Sequence, residues 1–272
     1  MAMRRDISFA ARYGPWALVA GASEGIGAAF AEAIAQRGVN VALVARRGPP
    51  LEALADRLTA DHHVETLRIA ADLANGIDAI PAALGDREVG IVVANAALSL
   101  LGPFLSEPLA AHLQEIDINC RAPLALAHEF GHHMVLRRRG GIILMSSLAG
   151  FQGGPNIANY AATRAYTAIL AEGLWAELRH HGVDVLACCA GATTTPGLSS
   201  SNYRSSSRFA PRAQHPREVA EEALVALGTR PSHVTGRGNR LATLVMRRLI
   251  PRQLTIQLME AATEGLSRSP RS

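Results

Sequence analysis

The sequence predicts an α/β fold, a single domain built on a doubly wound parallel sheet with helices on both faces. Three observations carry this. Apolar runs of strand length alternate with helical patterns along most of the chain, which is how βαβ units read. A glycine-rich turn joins the first apolar run to the first helix. The 272 residues suit one large α/β unit, and no shift in composition divides them.

Each element follows from local pattern. Trp16 to Ala20 is an unbroken apolar run, as a strand buried on both faces must be. Gly25 to Arg37 reads as a helix, with Gly38 placed to take the left-handed conformation that ends it. Val39 to Ala45 is a second strand, and Thr66 to Ala70 a third. Between them, Pro50 to Asp61 puts Leu51, Leu54 and Leu58 on one helical face. Gly90 to Ala94, Gly141 to Ser146 and Val183 to Cys189 are further strands. The last three are separated by two long alanine-rich helices, about Leu109 to Arg138 and Tyr160 to His180. Parallel strands joined this way use right-handed crossovers, which winds the sheet in both directions. The stretch 193–215 turns to Ser, Thr, Pro and Arg and reads as a lid loop, since little in it can fill a core. Pro216 to Leu227 is a helix with acidic residues in its first turns, where the helix dipole favours them. From Asn239 to the end runs an amphipathic, arginine-rich extension.

Composition narrows the function classes. A hydrophobic content of 49% excludes long disorder, and the apolar runs stop well short of the roughly 18 residues a membrane span needs. The N-terminus has no apolar signal core, which predicts a cytoplasmic protein. Cys120, Cys188 and Cys189 are odd in number, two of them adjacent, and no His or Cys spacing resembles a metal site. They read as structural thiols. The formal charge is +4, but the arginines are scattered, aromatics are 4% and no nucleic-acid motif is present. An anionic cofactor suits the charge as well. All 27 basic residues are arginine, and lysine is absent.

The first strand opens into Gly21-Ala22-Ser23-Glu24-Gly25-Ile26-Gly27 and then a helix. The glycines permit a tight turn, close approach of a pyrophosphate, and packing of helix on sheet. The helix start then offers free N–H groups to the phosphates. This is the context of a Rossmann-type dinucleotide site. The second strand ends Val44-Ala45-Arg46-Arg47, without the acid that would hold a ribose 2′-hydroxyl. An arginine fork suits a 2′-phosphate, so NADP(H) is the expected cofactor.

The spacing Gly-x-x-x-Gly-x-Gly resembles that of the short-chain dehydrogenase/reductase family, and the likeness runs from about residue 15 to 228. It implies several further assignments. Asp72, in Asp72-Leu73, is similar to the family Asp beside the adenine ring, and Asn95, in Ala94-Asn95-Ala96-Ala97, to the motif lining the cofactor cleft. Tyr160 opens Tyr-Ala-Ala-Thr-Arg where the family has Tyr-x-x-x-Lys. Ser147 stands at the family interval before it, and Asn119 matches the Asn of the preceding long helix. After the sixth strand, Thr195 matches the Thr that contacts the nicotinamide.

The resemblance implies ketone reduction or its reverse. Tyr160 would give a proton to the carbonyl oxygen as hydride reaches the carbon. Ser147 would orient that oxygen, and Asn119 would hold a water. Arg164 stands where the family has Lys, four residues on and so on the same helix face. It keeps the charge that stabilises a tyrosinate and reaches toward the ribose, but it cannot relay a proton. Three readings follow: an enzyme that works with Arg, a relative that binds nucleotide only, as a sensor or partner subunit, or a change incidental to the chain-wide loss of lysine. Gly14-Pro15-Trp16 ahead of the glycine turn, with Ala45-Arg46-Arg47 after it, resembles the branch of long-chain 3-oxoacyl-CoA reductases and hydroxysteroid dehydrogenases. That implies a bulky, apolar ketone. The family also implies a homodimer or homotetramer. Leu244, Val245, Leu249 and Ile250 among arginines allow membrane contact by the tail, with packing on the chain's own domain preferred.

Overall fold

The computed structural model describes residues 8–196 and 213–263. The lid expected at 193–215 therefore lies mostly outside the described residues. Seven parallel strands form one sheet: β1 (Trp16–Ala20), β2 (Asn40–Ala45), β3 (Thr66–Ala70), β4 (Val89–Ala94), β5 (Gly140–Ser147), β6 (Val183–Ala190) and β7 (Ser232–Val234). Their order is β3-β2-β1-β4-β5-β6-β7, so the winding reverses between β1 and β4. In open sheets of this kind a ligand crevice lies at that reversal, outside the carboxyl ends of the strands. Six strands end there on a small residue: Ala20, Ala45, Ala70, Ala94, Ser147 and Ala190.

Successive strand residues face opposite sides, and the two cores divide accordingly. Ala17, Val19, Leu43, Ile91 and Ile143 face α2 (Gly25–Ala35), α3 (Gly48–His62) and α8 (Pro216–Ala226), which contribute Phe30, Ile34, Leu51, Leu58 and Val219. Leu18, Val44, Val92, Ile142 and Leu144 face α4 (Ala79–Leu84), α6 (Ala122–Leu136) and α7 (Ala158–Leu178), with Ile80, Leu126, Phe130 and Met134 packed on them. Truncating a fully buried member such as Ile143 to Ala would cost about 2–5 kcal/mol through lost burial and the cavity left behind.

The long helix expected over Leu109 to Arg138 is interrupted. It divides into α5 (Leu109–Ile116), a π turn (Asp117–Arg121) and α6. Pro123 has no N–H to donate to the carbonyl of Asn119, and Ala122 N–H reaches back five residues to Asp117. Asn119 thus lies in the widened turn. Other elements escaped pattern reading because they are short. The helix α1 (Phe9–Tyr13) starts on Ser8, whose hydroxyl accepts the Ala11 N–H, and Tyr13 donates to Asp184 at 2.7 Å, tying it to β6. Strand β7 has only three residues.

The tail forms two helices, α9 (Arg237–Arg248) and α10 (Arg252–Thr263), parted at Pro251, which cannot continue a helix. The first returns to the domain. Arg240 bonds Glu222 at 2.7 Å, and the Arg247 guanidinium lies 4.8 Å from the Phe151 ring centroid. Leu241, Leu244 and Leu249 are exposed. Among the described residues, no helix is long and apolar enough to cross a membrane.

Candidate active site

The turn after β1 is stitched to its neighbours by backbone. Gly21 and Ala22 donate to the Val44 carbonyl at 2.8 and 3.1 Å, and Asn95 donates from its side chain to the Gly21 carbonyl at 3.0 Å. A Cβ on Gly21 would meet the Ala96 backbone at 2.7 Å, and one on Gly27 would meet Gly21 and Asn95. Gly25 has φ +60°, and a Cβ there would lie 2.9 Å from the Thr195 methyl. So Thr195, far along the chain, reaches the glycine turn. Ile26 packs on the core. Asp72 lies just past β3 and accepts the Ala74 N–H at 3.1 Å.

The arginine fork is unequal. Arg46 is exposed at the end of β2. Arg47 is paired with Glu24 of the glycine turn at 2.6 Å and touches the Ser23 hydroxyl at 3.4 Å. Of the two, Arg46 is the one with no acid beside it among the described residues.

The expected reaction residues lie on β5, the π turn and α7. Ser147 ends β5, with its hydroxyl accepting the Ala149 N–H at 3.2 Å. Arg164 is 4% exposed, and its Nη1 donates to the Met145 carbonyl of the same strand at 2.7 Å. Its guanidinium carbon lies 5.0 Å from the Tyr160 ring centroid, a cation–π contact. The Arg164 carbonyl accepts the Ser146 hydroxyl at 2.7 Å, and Gly150 packs against the same backbone, where a Cβ would sit 2.7 Å from the Arg164 carbonyl carbon. Among the described residues, the buried Nε of Arg164 has no hydrogen-bond partner. The glycine turn, with no room for Cβ atoms at Gly21 or Gly27, fits the close approach of a dinucleotide pyrophosphate.

Asn119 bridges the loop after β4 and the Tyr160 helix. Its Oδ1 accepts the Leu98 N–H at 2.9 Å, while Nδ2 donates to the Leu98 carbonyl at 2.8 Å and the Thr163 hydroxyl at 3.0 Å. Both amide donors are used, and Oδ1 keeps a second lone pair. Thr163 in turn donates to the Tyr160 carbonyl at 2.8 Å, so Asn119 acts on Tyr160 through its helix.

Glu115 was not anticipated. It is fully buried beneath this cluster, accepting the Leu100 N–H at 3.0 Å and the Asn159 amide at 2.6 Å. Burial pushes its carboxyl above the ordinary glutamate range, against the pull of those two donors and of His112 and Arg164. Burial also pushes the Cys120 thiol up to about 11, with Arg164 pulling down and Glu115 pushing up. The sequence signal for Glu115 is an acid four residues before Asn119.

The model of the short chain dehydrogenase family matches residues 15–205. The chain belongs to this family. Among curated proteins it is 32% identical over 236 residues to the 7beta-hydroxysteroid dehydrogenase of Clostridium sardiniense, covering 86% of this chain and 90% of that one. A solved 7beta-hydroxysteroid dehydrogenase, studied for its stereoselectivity, superposes with a TM-score of 0.85 at 28% identity, over 93% of this chain and 99% of the other. A short-chain dehydrogenase from Sphingobium yanoikuyae in complex with NADPH gives 0.73 at 31%, over 86% and 94%. As a short-chain dehydrogenase the chain departs from the family motif at Arg164, whose side chain is anchored on β5 as well as on the tyrosine ring.

Proposed function

We propose that this short-chain dehydrogenase is an NADP(H)-dependent ketoreductase, or the reverse dehydrogenase, for a bulky and apolar ketone. The observation that carries the reading is the Arg164 guanidinium held over the Tyr160 ring and anchored on the Met145 carbonyl, two residues before Ser147 ends β5. Gly21, Ser23, Gly25, Ile26 and Gly27 would cradle the pyrophosphate, Arg46 the 2′-phosphate, Asp72 and Asn95 the adenosine side, and Thr195 the nicotinamide side. NADPH, when bound, supplies the hydride.

Ser147 orients the carbonyl oxygen by hydrogen bonding and stabilises the charge that gathers on it. As the carbonyl π pair moves onto oxygen, Tyr160 donates its phenolic proton there. Arg164 stabilises the phenolate that remains, its cation lying on the ring. Because a guanidinium does not give up its proton, Tyr160 regains its own from solvent. Alcohol oxidation runs these steps backward.

Consumption of NADPH with a panel of steroid, fatty-acyl and bulky aryl ketones tests the reading, with wild type compared to Tyr160→Phe. Turnover that vanishes in the variant while NADPH binding persists supports it. Turnover that survives overturns it. One observation favours the nucleotide-binding, non-catalytic alternative: Arg164 spends a donor on the Met145 carbonyl. That alternative requires NADPH binding without turnover across the panel, with activity restored by Arg164→Lys.

Three free thiols suit a cytoplasmic location. Exposed Leu109, Leu113, Ile116, Tyr166 and Ile169 on α5 and α7 suit a homodimer or homotetramer, readable by sedimentation.

A further inference from the structure

Glu115 and Asn119 stand four residues apart where α5 passes into the π turn. Each bridges the same two elements. Asn119 holds Leu98 on one side and the Thr163 hydroxyl on the other. Glu115 holds the Leu100 N–H through Oε1 and the Asn159 side chain through Oε2. Leu98 and Leu100 belong to the loop after β4, which begins at Asn95 and is tied there to Gly21 of the glycine turn. Asn159 immediately precedes Tyr160, and its amide also donates to the His112 carbonyl at 3.1 Å.

A fully buried carboxylate is an expensive way to fill a helix face, since its desolvation must be offset by well-formed bonds. An apolar residue would fill the space without that cost. What it would lose is two charge-assisted bonds to separate elements that both border the crevice. We infer that Glu115 is a positioning residue that, as a second rung beside Asn119, holds the β4 loop and the first turn of the Tyr160 helix in one register. The inference rests on the ketoreductase reading above. The charged and titratable groups around Glu115 are His112 on its own helix, Cys120 in the π turn and Arg164 on α7.

The decisive variant is Glu115→Gln. It keeps the shape and an acceptor for Leu100, but turns an N–H toward the Asn159 amide, so two donors face each other. At a temperature well below melting, kcat falls by roughly 100-fold, the scale of a reacting group displaced by about 1 Å, while KM for NADPH holds. Asn159→Ala, which removes the other half of the pair, lowers kcat in the same way and stands in if the Glu115 variant does not fold. The double variant loses no more than the worse single one, because both break one bridge. A lower melting temperature with wild-type kcat in the single variants overturns the inference, as do losses that multiply.

If wild type reduces no ketone at all, the ketoreductase reading fails separately. The positioning of the loop is then read from hydrogen exchange at the amides of 97–100 in Asn159→Ala. Faster exchange across the loop supports it; an unchanged rate overturns it.

Discussion

The Arg164 guanidinium lies 5.0 Å from the centroid of the Tyr160 ring while its Nη1 bonds the Met145 carbonyl at 2.7 Å. One side chain thus links the end of β5 to the tyrosine that precedes it by four residues. Tyr160→Phe removes the proton donor and is expected to lower kcat by about 100- to 10,000-fold, the range for loss of a general acid. Arg164→Met leaves the Met145 carbonyl unpaired, which costs about 1–3 kcal/mol of stability, and lowers kcat as well. Arg164→Lys retains the charge and loses less of both. Steady-state kinetics paired with denaturant melts separate the two effects.

Glu24 holds Arg47 at 2.6 Å and leaves Arg46 exposed at the end of β2. If a 2′-phosphate docks there, Arg46→Ala removes a charge-assisted bond of roughly 1.5–3 kcal/mol, which raises KM for NADPH by about tenfold or more. The NADH value stays where it was. Arg47→Ala has the smaller effect on NADPH. Parallel titrations with both cofactors check the ratio.

The Gly25 position tests the fit of the glycine turn. Gly25→Ala must hold φ near +60° and bring its methyl to 2.9 Å from Thr195. The left-handed backbone alone costs an L-residue roughly 1–2 kcal/mol. Fluorescence titration is expected to show weaker NADPH binding, with the far-ultraviolet spectrum unchanged.

Acid stability depends on Glu222. Burial alone would raise its carboxyl, but the Gly236 N–H, His233 and Arg240 together hold it below the ordinary glutamate value of 4.5. A carboxyl lowered in the folded state stabilises the fold above its unfolded pKa and loses that contribution as pH falls through the folded value. Wild type is therefore expected to melt above Glu222→Gln at neutral pH, with the gap closing below pH 4.5. Calorimetry from pH 7 to 3 reads it directly.

What was legible in the sequence is what short-range rules determine. The apolar runs and the glycine turn announced the parallel sheet, and six strands lie where those runs lie. Tyr160 and Arg164 share a helix face because four residues make about one turn. Asn119 carried its motif but not its partners, since the break at Pro123 and the two bonds to Leu98 are settled by packing. Three-residue β7 and five-residue α1 carry too little pattern to be read locally; each exists because the sheet edge or Asp184 receives it.

The sequence alone determined the dinucleotide fold and the pairing of a tyrosine with an arginine, because both depend on spacing along one chain. Only the tertiary structure decided which arginine at the end of β2 is held by Glu24, that both Asn119 amide donors are used, and that Glu115 lies buried between Leu100 and Asn159. Those contacts join residues far apart in sequence, and their partners are chosen by how the elements pack.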